Sequence, residues 1–155
     1  MTRPDERTLV FIKPDAVARG LMGEILRRIE RRGFSIVAVK LLKMTRRQAE
    51  ELYRVHADKP FFGRLVKHVT SGPILAFVVE GPGCVESIRN LIGRTDPTEA
   101  GAGTVRGDLG LTKTYNSVHA SDSRGTAERE IPIFFREKEV LRYTRPLEGS
   151  YFKAN

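Results

Sequence analysis

The sequence predicts an α+β fold: a βαββαβ sandwich with an antiparallel sheet, an extra helical pair and a helical C-terminal tail. Three observations carry this. Short β-branched runs alternate with segments whose apolar residues recur at helical spacing. Gly, Pro or a capping pair punctuates most junctions. The 155 residues contain no internal repeat, low-complexity tract or linker, so a single domain spanning 1–155 is expected.

Residues 8–12 form an apolar, β-prone run halted by Lys13-Pro14, the first strand. Met22, Ile25, Leu26 and Ile29 fall on one helical face, and Gly33 is the natural stop. Residues 35–44, rich in Val and Ile, read as the second strand. Thr45 and Gln48 have capping-box spacing and open a helix with Ala49, Leu52 and Tyr53 on its buried side. Phe62, Leu65, Val66 and Val69 repeat the helical spacing until Ser71-Gly72-Pro73.

Residues 74–79 are unbroken apolar, as in a central strand, and Gly81-Pro82-Gly83 reads as a turn. Cys84, Ile88, Leu91 and Ile92 mark another helical face, stopped by Gly93. Residues 93–115 carry five glycines and no periodicity. A loop of that length in a compact domain is usually functional. Residues 116–120 read as a last short strand. Ser123 then caps a helix through Ile131, which Pro132 should end or kink.

Composition narrows the function classes. A lone cysteine, Cys84, excludes an intrachain disulfide and a Cys-based zinc site. No apolar run approaches a membrane span. The polar, charged residues 1–7 do not resemble a secretory signal, so a cytoplasmic location is expected. The net charge of +8 favours anionic partners: nucleic acid, an acidic membrane surface or phosphorylated small molecules. The basic residues are dispersed, with doublets at Arg27-Arg28, Arg31-Arg32 and Arg46-Arg47, which argues against a disordered basic tail.

The chemistry concentrates in Asn116-Ser117-Val118-His119-Ala120-Ser121-Asp122-Ser123, directly after the Gly-rich, Arg-containing loop. An imidazole, with an ordinary pKa of about 6.5, is a good nucleophile near neutral pH and can carry a covalent intermediate. His119 is therefore the candidate nucleophile for phosphoryl transfer. No G-x-x-x-x-G-K-[ST] cradle is present. Phosphates would have to be held mainly by side chains.

These residues resemble the nucleoside diphosphate kinase family over about residues 8–151. The strongest element is Asn116-x-x-His119-x-Ser121-Asp122. Lys13-Pro14-Asp15, Arg19-Gly20-Leu21 with Gly23-Glu24, Lys59-Pro60-Phe61-Phe62, Ser71-Gly72-Pro73 and Gly103-Thr104-Val105-Arg106-Gly107-Asp108 match further family segments in order. The resemblance implies a ferredoxin-like fold, Mg²⁺-dependent exchange of γ-phosphates between nucleoside tri- and diphosphates, and a homo-oligomer, commonly a hexamer. His119 would be phosphorylated in a ping-pong cycle. Lys13, Tyr53, Phe61, Arg89, Thr95, Arg106 and Asn116 would line the nucleotide site, with Tyr53 also a catalytic candidate. Ser121 and Glu130 would support the histidine.

Chemistry agrees with these roles. Arg89 and Arg106 offer planar forks for phosphate oxygens, Thr95 a hydroxyl, and Lys13 a point charge near sugar or phosphates. Phe61 offers a flat face on which any base can stack. Glu130 and Ser121 would form a hydrogen-bonded pair restraining the ring; the ring's second nitrogen needs a fixed acceptor, for which a nearby backbone carbonyl could serve. Mg²⁺ would bridge the nucleotide's own oxygens rather than sit in a protein cage, with Asp122 touching a metal-bound water. His56 and His68 read as structural or merely exposed. Tyr53 reads almost equally as packing, because it shares a face with Ala49.

Departures from the family pattern are Ala16 and Ala120, where glycine is frequent, Lys113 near the base, and Pro132. Ser150 to Asn155 have the length to reach a neighbouring subunit, and Pro97 would stiffen an exposed loop. Two alternatives stay open. One is a basic nucleic-acid-binding module, because Arg32 to Val39 look like a degraded RNP1 motif; it lacks the stacking aromatics, so nucleic acid is not expected as the primary partner. The other is a catalytically silent regulatory homologue, against which the intact candidate set argues.

Overall fold

A computed structural model describes residues 5–143. The expectation for Ser150 to Asn155 lies outside the described residues. The chain runs β1 (Asp5–Ile12), α1 (Pro14–Ala18), α2 (Met22–Glu30), β2 (Ser35–Leu42), α3 (Arg46–Leu52), α4 (Phe62–Val69), β3 (Ile74–Pro82), α5 (Cys84–Ile92), α6 (Val105–Leu109), β4 (Val118–Ala120) and α7 (Arg124–Phe134). Short 3₁₀ turns follow α3 at Arg54–His56 and α7 at Glu137–Glu139. The strands form one antiparallel sheet in the order β2-β3-β1-β4. This is the expected α+β sandwich, with the helical pair α3/α4 and the helix α7 in the expected places.

Strand β1 shows why the sheet sits where it does. Leu9, Val10, Phe11 and Ile12 are all fully buried, so both faces of the sheet are covered. Leu9 and Phe11 pack with Ala49, Leu52, Val66, Val69 and Phe134 from α3, α4 and α7. Val10 and Ile12 pack with Ile25, Ile29, Ile88 and Ile92 from α2 and α5. The period-2 alternation of a strand thus sorts two cores, one on each side.

Several boundaries differ from the sequence expectation. The turn expected at Gly81-Pro82 is strand: Pro82 sits at the end of β3, opposite Asp5, where a missing N–H does no harm. Lys13-Pro14 stops β1 but also opens α1, with Pro near its start, where its fixed φ suits a helix. The expected structureless loop contains α6, whose N-cap Thr104 accepts the Gly107 N–H. The capping box at Thr45 and Gln48 forms as expected. Ser123 caps α7 through the Thr126 N–H, yet α7 continues to Phe134 with Pro132 inside it. Pro132 removes one N–H close to the helix end, and α7 stops two residues later.

Candidate functional site

The strand expected over 116–120 begins only at Val118, because Ser117 takes a left-handed φ of 74°. From there β4 pairs with β1, and His119 lies opposite Phe11. Register decides direction: Phe11 belongs to the α3/α4/α7 side, so His119 projects there too. Its ring stacks on Phe11 at 4.7 Å between centroids and 17° between planes, and Tyr53 meets it edge-on at 6.3 Å. The side chain keeps 18% exposure, towards a cavity.

Helix α7 delivers the partner. His119 Nε2 lies 2.9 Å from Glu130 Oε1, and Ser121 Oγ donates to the same oxygen at 2.8 Å. Glu130 is buried, so its carboxylate is held by these two neighbours. The acceptor at Nε2 is therefore the carboxylate of Glu130, the residue expected to restrain the ring with Ser121, rather than a backbone carbonyl. The residues are 11 apart in the chain and meet only because α7 folds back across β1 and β4.

Opposite the imidazole lies a cavity of about 660 Å³. Nine of the ten candidate residues line it; Ser121 sits behind Glu130, fully buried. The lining holds six cations (Lys13, Arg64, Arg89, Arg106, Lys113 and Arg129) against two carboxylates, Asp122 and Glu130. Such an enclosure attracts a polyanion.

Three of these cations are held by specific contacts. Arg106, on α6, donates to the carbonyls of Gly93 and Val118 at 3.1 and 2.8 Å, while its Nε has no hydrogen-bond partner. Burial, helped by Arg89, pushes its pKa down to about 10. It remains a cation at neutral pH with a donor to spare. Arg89, on α5, reaches the Ala120 carbonyl at 3.4 Å. Lys13 is 4% exposed and donates to Asn116 Oδ1 at 2.8 Å. Burial first, then Arg106, pushes its ammonium down to about 7, against a smaller lift from Asp15. Asn116 in turn donates to the Thr95 carbonyl at 3.0 Å.

Tyr53 packs in the core and also lines the cavity. It is 6% exposed within the core, and its buried hydroxyl has no partner. Burial pushes its pKa up, with Glu130 adding, so it can serve as a donor and not as a base. Phe61 stands at the rim, 36% exposed, its ring 5.5 Å from that of His56. A hydrogen bond from Thr126 holds the Asp122 carboxyl below its usual range, with Arg89 a further cause.

Sequence reasoning missed Arg64, Arg129 and His56 as cavity residues. Arg64 stands three residues after Phe61, one helical turn on, and that spacing was a usable signal. Arg129 and His56 carry no local signal. Lys113 does line the cavity, with its Nζ 3.5 Å from Asp96 Oδ2. Ala16 and Ala120 are buried, in keeping with the small side chains there.

A family model described as nucleoside diphosphate kinase matches residues 6–140. A nucleoside diphosphate kinase of Thermosipho melanesiensis is 54% identical over 138 residues, covering 89% of this chain and 94% of that one. One of Kosmotoga olearia is 51% identical over 146 residues, covering 94% and 99%. Among solved structures, a halophilic nucleoside diphosphate kinase of Halobacterium salinarum in complex with CDP superposes with a TM-score of 0.92 at 42% identity, covering 96% of this chain and 99% of that one. A transition-state mimic of the Borrelia burgdorferi nucleoside-diphosphate kinase, with bound vanadate and ADP, gives 0.89 at 36% identity, covering 96% and 98%.

Proposed function

The chain belongs to the nucleoside diphosphate kinase family, and from that premise we propose that it moves the γ-phosphate of a nucleoside triphosphate onto a nucleoside diphosphate through phosphorylated His119. One observation supports this above the rest: the imidazole has Nε2 tied to a buried carboxylate and faces a cavity lined with six cations.

With Nε2–H donated to Glu130, Nδ1 carries the free lone pair. That pair attacks the γ-phosphorus, and the bond to the β,γ-bridging oxygen breaks. The diphosphate leaves and a second diphosphate takes the phosphoryl group by the reverse step. A phosphohistidine is itself a high-energy species, so one site serves both directions in ping-pong order. Arg89, Arg106 and Thr95 hold the phosphates, and the spare donors of Arg106 Nε and Tyr53 Oη suit oxygens that gain charge in transfer. Lys13 and Asn116 read the sugar, and Phe61 stacks on the base.

Magnesium fits as a rider on the substrate. Among the described residues no three His, Cys, Asp or Glu come together as a cage, and Glu130 is already engaged. Asp122 is the carboxylate left at the cavity to touch the ion's water shell. When bound, the ion neutralises charge on the β- and γ-phosphates.

We propose further that one domain spans the chain, that it works in the cytoplasm and that it assembles as a homo-oligomer, with a hexamer as the expected size. Val39 and Leu41 support assembly: they are more than half exposed on β2, the edge strand of the sheet. Among the described residues no helix is long and apolar enough to cross a membrane.

Brief incubation with γ-labelled ATP and Mg²⁺ tests the chemistry. The adduct should be acid-labile and base-stable, map to His119 and vanish on adding GDP. His119→Asn should abolish labelling and transfer. Label on serine, or transfer surviving in the variant, overturns the mechanism.

A further inference from the structure

We infer that His68, which lies outside the cavity, is a positioning residue for nucleotide binding, acting through Asp15 on the backbone turn that carries Asn116. The inference rests on the nucleotide-binding reading above and adds a residue to it.

His68 ends its ring against Asp15: Nε2 lies 2.8 Å from Oδ1, and the two side chains are 7% and 8% exposed. The other oxygen of Asp15 accepts the Ser117 N–H at 3.1 Å. Ser117 is the residue with the left-handed φ of 74°, fully buried. An L-residue holds that conformation only where its surroundings impose it. The Ser117 carbonyl accepts the Lys13 N–H at 2.9 Å, and its hydroxyl reaches the Leu109 carbonyl at 3.3 Å.

The consequence is directional. One residue before Ser117 is Asn116, whose side chain holds the Lys13 ammonium. The carboxylate of Asp15 therefore fixes the backbone on which both sugar-side groups depend, and His68 fixes the carboxylate. Tyr115 packs edge-on against His68 at 4.7 Å, closing the brace on its outer side. His119 is secured separately, by Phe11 and Glu130. Loosening the brace should disturb binding and leave the chemical step.

The test is a set of variants read by calorimetric titration with Mg·ADP and by exchange rate at saturating nucleotides. His68→Phe keeps the contact with Tyr115 and removes the N–H. It should weaken ADP binding about tenfold, with the maximal rate changed less than about threefold. His68→Gln, which returns an N–H at similar reach, should bind within about threefold of wild type. Asp15→Asn keeps the shape and removes the charge; it should weaken binding in the same direction, and stands in if His68→Phe does not fold. Unchanged ADP affinity in His68→Phe or Asp15→Asn, failure of His68→Gln to rescue, or a fall in maximal rate at constant affinity each overturns the inference. Exchange by the wild-type chain is scored separately: its absence counts against the proposed phosphotransfer, while the affinities still judge His68.

Discussion

Glu130 Oε1 accepts two hydrogen bonds at once, from His119 Nε2 at 2.9 Å and from Ser121 Oγ at 2.8 Å. The arrangement selects one ring tautomer and one ring orientation with a single buried oxygen. Because Ser121 holds the carboxylate from behind, the imidazole cannot swing away without losing its bond to Oε1, nor draw the carboxylate along without breaking the Ser121 bond.

Glu130→Ala should therefore slow phosphoenzyme formation by about 10²-fold, the scale of a lost preorganised hydrogen-bond partner. The Ser121 hydroxyl and the ring Nε2 would both lose their acceptor. Rapid-quench measurement of His119 labelling checks this, and a loss under about threefold would mean that the ring is oriented without its carboxylate.

Lys13 makes binding depend on protons. Its ammonium is pushed down to about 7 in the ligand-free chain, from an ordinary value of 10.5. Phosphates entering the cavity raise it again, so at pH 8 the protein should take up close to one proton per nucleotide bound. Below about pH 6 the uptake should disappear, because Lys13 is already charged. Titration in buffers of different ionisation enthalpy measures it, with Lys13→Met as the comparison. Stability follows the same sign. The burial penalty is fully present below pH 7, where folded and unfolded chains are both protonated. It is relieved as pH rises from 7 towards 10.5, where only the unfolded chain keeps the proton. Uptake that persists unchanged in Lys13→Met would remove this residue from the linkage.

Phe61 stands exposed at the cavity rim with no polar group of its own to read a base. Phe61→Ala should raise the KM for adenine, guanine and cytosine nucleotides by a common factor of about ten. A loss confined to one base would show that Phe61 discriminates, and would direct attention to Lys113.

What the sequence made legible was local. Helices α2, α4 and α5 carry their periodicity in their own residues, and the caps at Thr45 and Ser123 lie within one turn of the groups they satisfy. Nine of the ten candidate residues, named from type and order, meet at one cavity. Helix α6 was not, because Val105–Leu109 offers too few apolar positions to show a period. Outside contacts fasten it instead: Arg28 pairs with Asp108 at 2.7 Å, and Asp108 accepts the Gly103 N–H. The strand residue Pro82 reads as a turn until Asp5 lies opposite it. The pairing of Glu130 with His119, 11 residues away, was expected by residue but not by atom, whereas the His68 brace joins residues 53 apart, so no window of residues contains it.

Helix α6 places Arg106, and Gly107 shows how tightly it is seated. A Cβ at Gly107 would collide with the Gly101 carbonyl oxygen and come within 2.8 Å of Thr104 Oγ1, the atom that caps the helix. Neither group can withdraw freely, since Thr104 Oγ1 is also bonded to the Gly101 carbonyl at 2.6 Å. Gly107→Ala should cost about 2 kcal/mol, a drop of roughly 4–8 °C in Tm, and should lower activity further by displacing Arg106. Gly101→Ala is the matched control, because a Cβ there meets nothing within 4 Å. It should leave Tm and exchange rate close to wild type. Calorimetry and exchange assays on the pair decide the matter: equal behaviour of the two variants would mean that the loop yields, and that Arg106 owes its position to the carbonyls of Gly93 and Val118 alone.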